Sequence, residues 1–260
     1  MTILDQLAAY AKERIRQEKK IVSLQEIRRQ ALSLPPGNFT FEEALQKPGL
    51  SFICECKKAS PSKGIIAPYF PYREIAKEYE AAGADCISVL TEPKWFLGSN
   101  QYLEEIAGQV SLPCLRKDFT VDEYMIYQAK ILGAKAVLLI CSILTERQLK
   151  EYLQLCDELG LSALVEAHDE EEIQTAIRVN ARIIGVNNRN LKDFSVNMKN
   201  SQTMRNLVPK NTLFISESGI RYPEEIKILQ EMGADGVLIG EVLMNAPNKN
   251  KKLKELRGFL

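Results

Sequence analysis

One short stretch of the chain places two opposite charges where a buried strand is expected. Phe52 to Cys56 form an apolar run of strand length, and a Ser-Pro-Ser turn follows it. Glu55 and Lys57 lie two residues apart, so their side chains leave the strand on the same side. A carboxylate and an ammonium group that face one interior are costly to bury unless they are paired or functional. The stretch predicts either a structural ion pair or an acid–base site at the carboxyl end of a strand.

Three further ionisable residues end runs that also read as strands. They are Lys117, Glu166 and Glu217, at positions where packing alone would favour Val or Ile. Two other runs end in Asn187, which contributes a polar side chain, and in Gly240, which leaves space because it has no side chain. Because parallel strands share their carboxyl ends, these residues are expected to meet at one edge and form a site for acid–base chemistry.

The elements that position these residues alternate between strand and helix from Ser51 onward. Eight strand–helix units in roughly 210 residues are typical of a closed parallel barrel. Glycines such as Gly83, Gly133 and Gly233 suit left-handed caps at helix ends. An open doubly wound sheet is the alternative, but no Gly-x-Gly-x-x-Gly follows any strand. The predicted fold class is α/β, a parallel (β/α)8 TIM barrel with an N-terminal helical extension. The predicted strands lie near Ser51–Lys57, Asp85–Leu90, Pro113–Lys117, Ala136–Cys141, Ser162–Glu166, Arg182–Asn187, Thr212–Glu217 and Gly236–Gly240. The predicted helices include Tyr72–Ala82, Val121–Leu132, Glu146–Leu159, Glu170–Asn180 and Pro223–Met232.

The N-terminal segment precedes this alternation. From Thr2 to about Leu34, apolar residues recur at helical spacing with charges opposite, which predicts a docking helix. Phe39 to Gln46 suggests a short helix before the first strand. We therefore expect residues 1–48 to form an extension packed on a barrel of residues 49–260, with one domain overall.

Composition excludes several classes of function. The chain has 34 Lys and Arg against 34 Asp and Glu, so no net charge argues for nucleic acid or a membrane surface. No apolar run approaches the roughly 20 residues of a spanning helix, and no secretion signal is visible. The six cysteines lie mostly in apolar runs, which indicates a reducing, cytoplasmic setting. Cys54 and Cys56 could suggest a metal pair, but both should point away from Glu55, so no metal is expected.

The loops after several strands supply polar groups for binding. Ser60, Ser218, Gly219 and Gly240 are candidate donors for a phosphate group, which barrels of this kind commonly bind at the last two strands. The segment after the sixth strand carries amide and guanidinium groups suited to a hydroxyl or a carboxylate. His168, the only histidine, lies beyond the fifth strand and is expected to be a loop residue rather than the catalytic base.

These motifs, taken together and in order, closely resemble the indole-3-glycerol phosphate synthase family. A set of six is far more specific than any one motif, and the N-terminal extension is also similar to that of the family. The matching segments are Lys57 to Gly64, Leu115 to Phe119, Val165-Glu166, Asn187 to Leu191, Ser216 to Gly219 and Leu238 to Gly240.

The resemblance implies a decarboxylating carbon–carbon lyase of tryptophan biosynthesis. Its reaction would be ring closure of 1-(2-carboxyphenylamino)-1-deoxyribulose 5-phosphate to indole-3-glycerol phosphate, with release of carbon dioxide and water. It implies no metal or organic cofactor. The expected partner is the small phosphosugar–anthranilate substrate, with no nucleic acid and no membrane, and the protein is expected to be a monomer or a weak homo-oligomer.

The resemblance also implies a role for each matched residue. Lys117 would be the general acid that protonates the substrate carbonyl, and Lys57 and Glu55 would serve the later dehydration and positioning. Glu166 would be a general base or a stabiliser of positive charge, and Asn187 would hold a hydroxyl. Ser218 completes the catalytic set. The implied substrate-binding residues are Ser60, Phe96, Phe119, Arg189, Leu191, Glu217, Gly219, Gly240 and Glu241.

Some of these residues carry a more specific expectation or depart from the pattern. Arg189 resembles the partner of the anthranilate carboxylate, and Phe96 is placed against the aromatic rings. Ala67 stands where family members often carry a polar residue. Glu241 stands where some have serine, so its carboxylate is expected to point away from the phosphate.

Two rival functions remain open at this point. A phosphosugar isomerase on the same barrel, such as phosphoribosylanthranilate isomerase, would need a different acid–base pair. A phosphate-binding barrel without catalytic activity would explain the Ser and Gly loops but would leave four charged residues in the mouth without a role.

Overall fold

The computed structural model describes residues 2–190 and 194–258, and within them eight parallel strands close a barrel. Each strand pairs with the next in sequence, and the last pairs with the first. A small antiparallel hairpin lies in the loop after the first strand. The barrel strands are β1 (Ser51–Cys56), β4 (Cys86–Leu90), β5 (Cys114–Lys117), β6 (Ala136–Ile140), β7 (Ser162–Ala167), β8 (Ile183–Asn187), β9 (Leu213–Glu217) and β10 (Gly236–Ile239), and the hairpin strands are β2 (Ala59–Ser60) and β3 (Gly64–Ile65).

Helices surround the barrel, and three further helices form the described part of the N-terminal segment. In chain order the helices are α1 (Ile3–Ile21), α2 (Leu24–Ser33), α3 (Thr40–Leu45), α4 (Tyr72–Ala81), α5 (Asn100–Ala107), α6 (Glu123–Ile131), α7 (Glu146–Leu159), α8 (Glu170–Arg178), α9 (Lys199–Arg205), α10 (Pro223–Glu231), α11 (Glu241–Met244) and α12 (Lys249–Leu256). In the described part of the chain, no helix is both long and apolar enough to cross a membrane.

The predicted (β/α)8 barrel is confirmed, and the open sheet is excluded because β1 pairs with β10. Every predicted strand is found with its ends within one residue. The three glycines predicted to cap helices have positive φ angles, 87° at Gly83, 82° at Gly133 and 73° at Gly233. These glycines end a helix without the steric penalty that another residue would meet there.

A docking helix is present at the N-terminus, as predicted, but it does not extend over the whole segment from Thr2 to Leu34. The chain instead forms α1 and α2, separated at Val22 and Ser23. The Ser23 side chain accepts a hydrogen bond from the backbone N–H of Glu26, so it caps the start of a new helix. The apolar stripe behind the prediction runs from Ile3 to Ile15, within α1, and the cap signal at Ser23 was missed.

The barrel interior has an apolar layer directly beneath its charged layer. Two residues before Glu55, Lys117, Glu166 and Glu217, on the same side of each strand, lie Ile53, Leu115, Leu164 and Ile215, all fully buried. This floor closes the barrel towards its amino end, so the charged groups above it face the mouth of the barrel.

Helices α1 and α3 are tied to the barrel wall by ion pairs. Arg14 on α1 donates to both carboxylate oxygens of Asp118, at 2.9 and 2.8 Å. Arg182 contacts Glu42 on α3 through two hydrogen bonds of 2.9 and 3.0 Å. Because Asp118 is fully buried and directly follows Lys117, α1 is anchored beside the charged layer.

Candidate active site

Lys117 lies between two buried carboxylates at the carboxyl end of the barrel. Its Nζ is 3.2 Å from Oε2 of Glu166 and 3.4 Å from Oε2 of Glu217. The side chains of Glu166 and Glu217 are only 3% and 2% exposed. Gly185 on β8 makes this arrangement possible, because a side chain there would collide with Oε1 of Glu217.

Glu55 and Lys57 form a second ion pair in the same mouth. Nζ of Lys57 donates to Oε2 of Glu55 over 2.5 Å. The prediction that both side chains leave β1 on the same side is confirmed by this contact. Together with Lys117 and its two carboxylates, this pair gives the mouth two ammonium groups and three carboxylates, so protons can be given and taken within one cluster.

The surroundings shift the pKa values of the central cluster in different directions. Burial disfavours the charged form of Lys117, but the charges of Glu166, Glu217 and Glu55 outweigh it and raise its pKa. Burial also opposes ionisation of Glu166, but Lys117 and His168 outweigh it and lower the pKa of this carboxyl group. In Glu217, burial dominates and the neighbouring carboxylates add to it, which raises its pKa to about 7. At neutral pH the cluster therefore contains an ammonium group, one firmly ionised carboxylate and one carboxyl group near its titration point.

A cavity of about 580 Å³ opens above this cluster. Fifteen residues were predicted for the site, and the fourteen that the structure describes all line this cavity, while Leu191 lies outside the described residues. The predicted residues that line the cavity are Glu55, Lys57, Ser60, Phe96, Lys117, Phe119, Glu166, Asn187, Arg189, Glu217, Ser218, Gly219, Gly240 and Glu241. A volume of this size fits a small organic ligand.

One end of the cavity is built from backbone suited to an anion. Ser218 and Gly219, which line the cavity, are consecutive residues with positive φ angles of 66° and 99°, and turns can bind anions through their backbone N–H groups. Gly240 precedes the short helix α11 on the same side of the cavity. Lys252, on α12, also lines the cavity. The sequence prediction missed Lys252 because the final helix follows the last strand and carries no motif.

Glu241 is surrounded by cations. Its Oε1 lies 3.7 Å from Nζ of Lys63, and its Oε2 lies 3.6 Å from the guanidinium group of Arg189. These contacts connect the hairpin loop after β1, the loop after β8 and the start of α11. Ala67, the other departure from the family pattern, is buried.

The opposite wall of the cavity is aromatic. The rings of Phe96 and Phe119 lie with their centroids 6.0 Å apart. The loop that carries Phe96 is held by the fully buried Glu92, whose carboxylate accepts from the backbone N–H groups of Lys94, Trp95 and Phe96. Glu92 was missed because a carboxylate in a loop reads as exposed when only sequence is considered.

The sequence prediction also missed two sets of residues at the site, because the sequence did not indicate the direction of their side chains. Ile3 and Leu7 of α1 line the cavity, although the apolar stripe of α1 predicted only that it docks. His168 does lie beyond the end of β7, as predicted, but its Nε2 is 3.2 Å from Oε1 of Glu166. Its position in a loop gave no indication of this contact.

Fold and site together define a barrel enzyme of the acid–base class, with an anion-binding end and an aromatic wall. A (β/α)8 barrel presents its active site at this face, and the described mouth holds a lysine between carboxylates whose pKa values are driven apart. Comparison with known proteins identifies the family.

The chain belongs to the indole-3-glycerol phosphate synthase family, whose sequence profile matches residues 4–256. It is 54% identical over 257 residues to the indole-3-glycerol phosphate synthase of Ruminiclostridium cellulolyticum, covering 98% of this chain and 99% of that protein. It is 52% identical over 270 residues to the protein of the same name from Lachnoclostridium phytofermentans, covering 99% and 100% of the two chains.

Solved structures with low sequence identity show the same fold. The 3-hexulose-6-phosphate synthase of Salmonella typhimurium matches with a TM-score of 0.65 at 13% identity, over 80% of this chain and 97% of the other. The thiamine phosphate pyrophosphorylase of Pyrococcus furiosus matches with a TM-score of 0.59 at 15% identity, over 80% and 94%. At these identities the likeness concerns the barrel alone.

Proposed function

We propose that this protein closes the indole ring of indole-3-glycerol phosphate. Its substrate would be 1-(2-carboxyphenylamino)-1-deoxyribulose 5-phosphate, and its other products carbon dioxide and water. The observation that carries this proposal is Lys117 between Glu166 and Glu217, beneath a cavity with an anion-binding end and an aromatic wall. Membership of the synthase family supports the same reaction.

In the first chemical step, the ring carbon that bears the carboxylate attacks the ketone carbon of the sugar chain. The carbonyl oxygen gains negative charge and takes the proton of Lys117, which the surrounding carboxylates keep in the ammonium form. The anilino portion gains positive charge, which the buried carboxylates of Glu166 and Glu55 stabilise. Loss of carbon dioxide then returns the electron pair to the ring system.

The second stage removes the new hydroxyl group as water. We assign this step to Lys57 and Glu55, which are in contact over 2.5 Å. The hydroxyl group leaves as water with a proton from Lys57, and the carbon next to the ring nitrogen loses a proton to Glu55, so that the new ring becomes aromatic. Asn187 would hold a substrate hydroxyl, since its side chain reaches the cavity and lies 3.4 Å from Glu166. Ser218 would act at the same end of the cavity as the phosphate.

The two ends of the substrate would be held by different parts of the rim. The phosphate would bind the N–H groups and hydroxyls around Ser60, Ser218, Gly219 and Gly240, because backbone nests and helix starts favour anions. The aromatic ring would lie against Phe96 and Phe119, and Arg189 would meet the anthranilate carboxylate. We assign Leu191, Glu217 and Glu241 to the binding set as well, with Glu241 holding Arg189 and Lys63 in place.

The domain organisation, cellular location and oligomeric state of the protein are also part of this proposal. Residues 1–48 would act as an extension of the barrel of residues 49–260 within one domain, because α1 supplies part of the cavity wall. Six free thiols, all buried, favour the cytoplasm. We further propose a monomer or weak homo-oligomer that needs no cofactor and binds no nucleic acid, which sedimentation at several protein concentrations would test.

The function is tested by mixing the enzyme with the ribulose phosphate substrate and following the ultraviolet spectrum. We expect indole absorbance to appear with one carbon dioxide released per turnover. Turnover without carbon dioxide would instead favour the isomerase, and binding without turnover would favour a phosphate-binding barrel.

A further inference from the structure

The side chain of His168 lies directly behind Glu166, outside the cavity. Its Nε2 is 3.2 Å from Oε1 of Glu166, and its Nδ1 is 3.0 Å from Oε2 of Glu172 on α8. The imidazole ring is therefore held between two carboxylates. The described lining of the cavity does not include His168, and its contact with the site is made through Glu166.

One hydrogen bond to the ring and several to its surroundings hold His168 in place, while Nε2 meets Glu166 as an ion-pair contact and has no hydrogen-bond partner among the described residues. The backbone N–H of His168 donates to Oε2 of Glu172 over 2.8 Å, so Glu172 binds both the backbone and the ring. Glu172 itself lies in the first turn of α8, where its N–H donates to the capping side chain of Asp169. The side-chain amide of Asn200 donates to the backbone carbonyls of His168 and Asn187, both over 3.3 Å. The ring is thus a rigid support and not a mobile loop group.

The groups around His168 favour its charged form. Burial lowers the pKa of the imidazole, but its close contacts with the carboxylates of Glu166 and Glu172 outweigh burial and raise it to about 10. The turn after β6 adds Cys141, whose thiol donates to the backbone carbonyl of Glu172 and whose pKa burial raises to about 12. Asn200 is uncharged, so the nearest charges facing the ring are the two carboxylates.

Glu166 and Glu217 differ in the contacts of their second carboxylate oxygen, Oε1. Both contact Lys117 with Oε2. Oε1 of Glu166 also faces His168 and, at 3.4 Å, the amide of Asn187. Oε1 of Glu217 has no hydrogen-bond partner among the described residues. The cationic side chain behind Glu166 is therefore the main difference between two otherwise similar carboxylates.

This difference matters when Lys117 gives up its proton. The neutral amine that remains no longer compensates either carboxylate, and an uncompensated buried carboxylate tends to take up a proton. A second cation behind Glu166 keeps its charge while positive charge builds on the anilino portion of the substrate. Glu217 lacks this second partner.

We propose that His168 is a positioning residue, which as an imidazolium fixes the orientation of Glu166 and keeps it, rather than Glu217, ionised while the Lys117 proton is transferred. The inference rests on the proposed function, because it assigns His168 a task within that reaction. It also makes a claim about the resting protein, which can be tested without substrate.

The resting protein offers a direct measurement, since the chain contains a single histidine. In tag-free protein labelled with ¹⁵N-histidine, NMR would report one imidazole. We expect both ring nitrogens to stay protonated past pH 8, and Glu172→Gln to lower the titration midpoint by about one unit or more. A ring that titrates near the usual 6.5 would overturn the proposal.

The kinetic test uses His168→Gln. The glutamine amide can still donate a hydrogen bond, but it carries no charge. We expect kcat to fall roughly tenfold or more while KM changes by less than about threefold. The acid limb of the kcat profile should move to higher pH, because loss of a neighbouring cation raises the pKa of Glu166. Glu172→Gln should change the profile in the same direction, and it serves as the test variant if His168→Gln does not fold. Glu171→Gln, on the same turn but exposed, is the matched control and should behave as wild type.

The outcomes separate this inference from the proposed function. If wild-type protein forms no indole, the proposed function is wrong. If wild-type protein turns over and both His168→Gln and Glu172→Gln keep its kcat and pH profile, the positioning role alone is wrong.

Discussion

The carboxylate of Glu55 occupies the space that a side chain at Gly240 would need. A Cβ atom built on Gly240 collides with Oε2 of Glu55 and comes within 2.9 Å of Nζ of Lys57. The glycine at the end of β10 therefore makes room for the ion pair on its neighbour β1.

Replacing Gly240 with alanine should displace the Glu55–Lys57 pair and lower kcat. A misplacement of about 1 Å can cost up to roughly 100-fold in rate, and we expect a loss between tenfold and this value. Gly108→Ala, at the end of α5 and remote from the mouth, is the control. A Gly240→Ala enzyme with wild-type kcat would show that the position of the pair does not matter.

Lys117→Ala should abolish turnover while the fold remains. Loss of a general acid costs roughly 100-fold or more in rate, and the two carboxylates left behind can take up a proton or water from the open mouth. Circular dichroism would verify the fold, and Lys135→Ala, an exposed lysine before β6, provides the control. Activity within about threefold of wild type would contradict the role of Lys117 as acid.

Glu217 should make the rate depend on pH near neutrality. Its pKa is raised to about 7, mainly by burial, so it loses its negative charge as the pH falls below 7. If the anion supports the charged cluster, kcat/KM should rise with pH between about 6 and 8. Glu217→Gln resembles the protonated form at every pH and should flatten this rise. The same slope in both enzymes would assign the titration to another group.

Ser218→Ala should weaken phosphate binding only modestly, because backbone N–H groups supply much of the site. The measurement is inhibition by inorganic phosphate. Gly219→Ala should weaken binding more, since the residue has a φ of 99° and an added side chain would contact Met198 and Val196. We also expect a phosphate or sulfate ion here in a ligand-free crystal, and an anion found only elsewhere in the mouth would contradict the assignment.

Trp95 should report ligand binding through its fluorescence. It is the only tryptophan, it packs edge-on against Tyr10 with centroids 5.5 Å apart, and its neighbour Phe96 lines the cavity. Stacking of a ligand ring is worth about 0.5–1.5 kcal/mol, so Phe96→Ala should weaken product binding by roughly two- to thirteenfold. Unchanged emission while calorimetry shows binding would mean that the ligand ring does not contact this loop.

The sequence was sufficient to predict the barrel and the charged layer, because both follow from alternation along strands. Glu55 and Lys57 had to share a side, and parallel strands had to bring Lys117 near Glu166. Contacts made by loop and helix side chains have no such rule. His168 behind Glu166, Glu92 beneath the aromatic loop and Leu7 in the cavity wall all depend on tertiary packing, which no local pattern encodes.

The ties between the N-terminal segment and the barrel have a consequence for the order of folding. Arg14 meets Asp118 across 104 positions, and Glu42 meets Arg182 across 140. During synthesis, α1 and α3 emerge long before their partners, and contacts so distant in sequence carry a high closure entropy. The first helices of the chain must therefore wait for β5 and β8. Ile3 and Leu7 are therefore among the first residues to be translated, but they take their places in the cavity wall only after most of the barrel has been made.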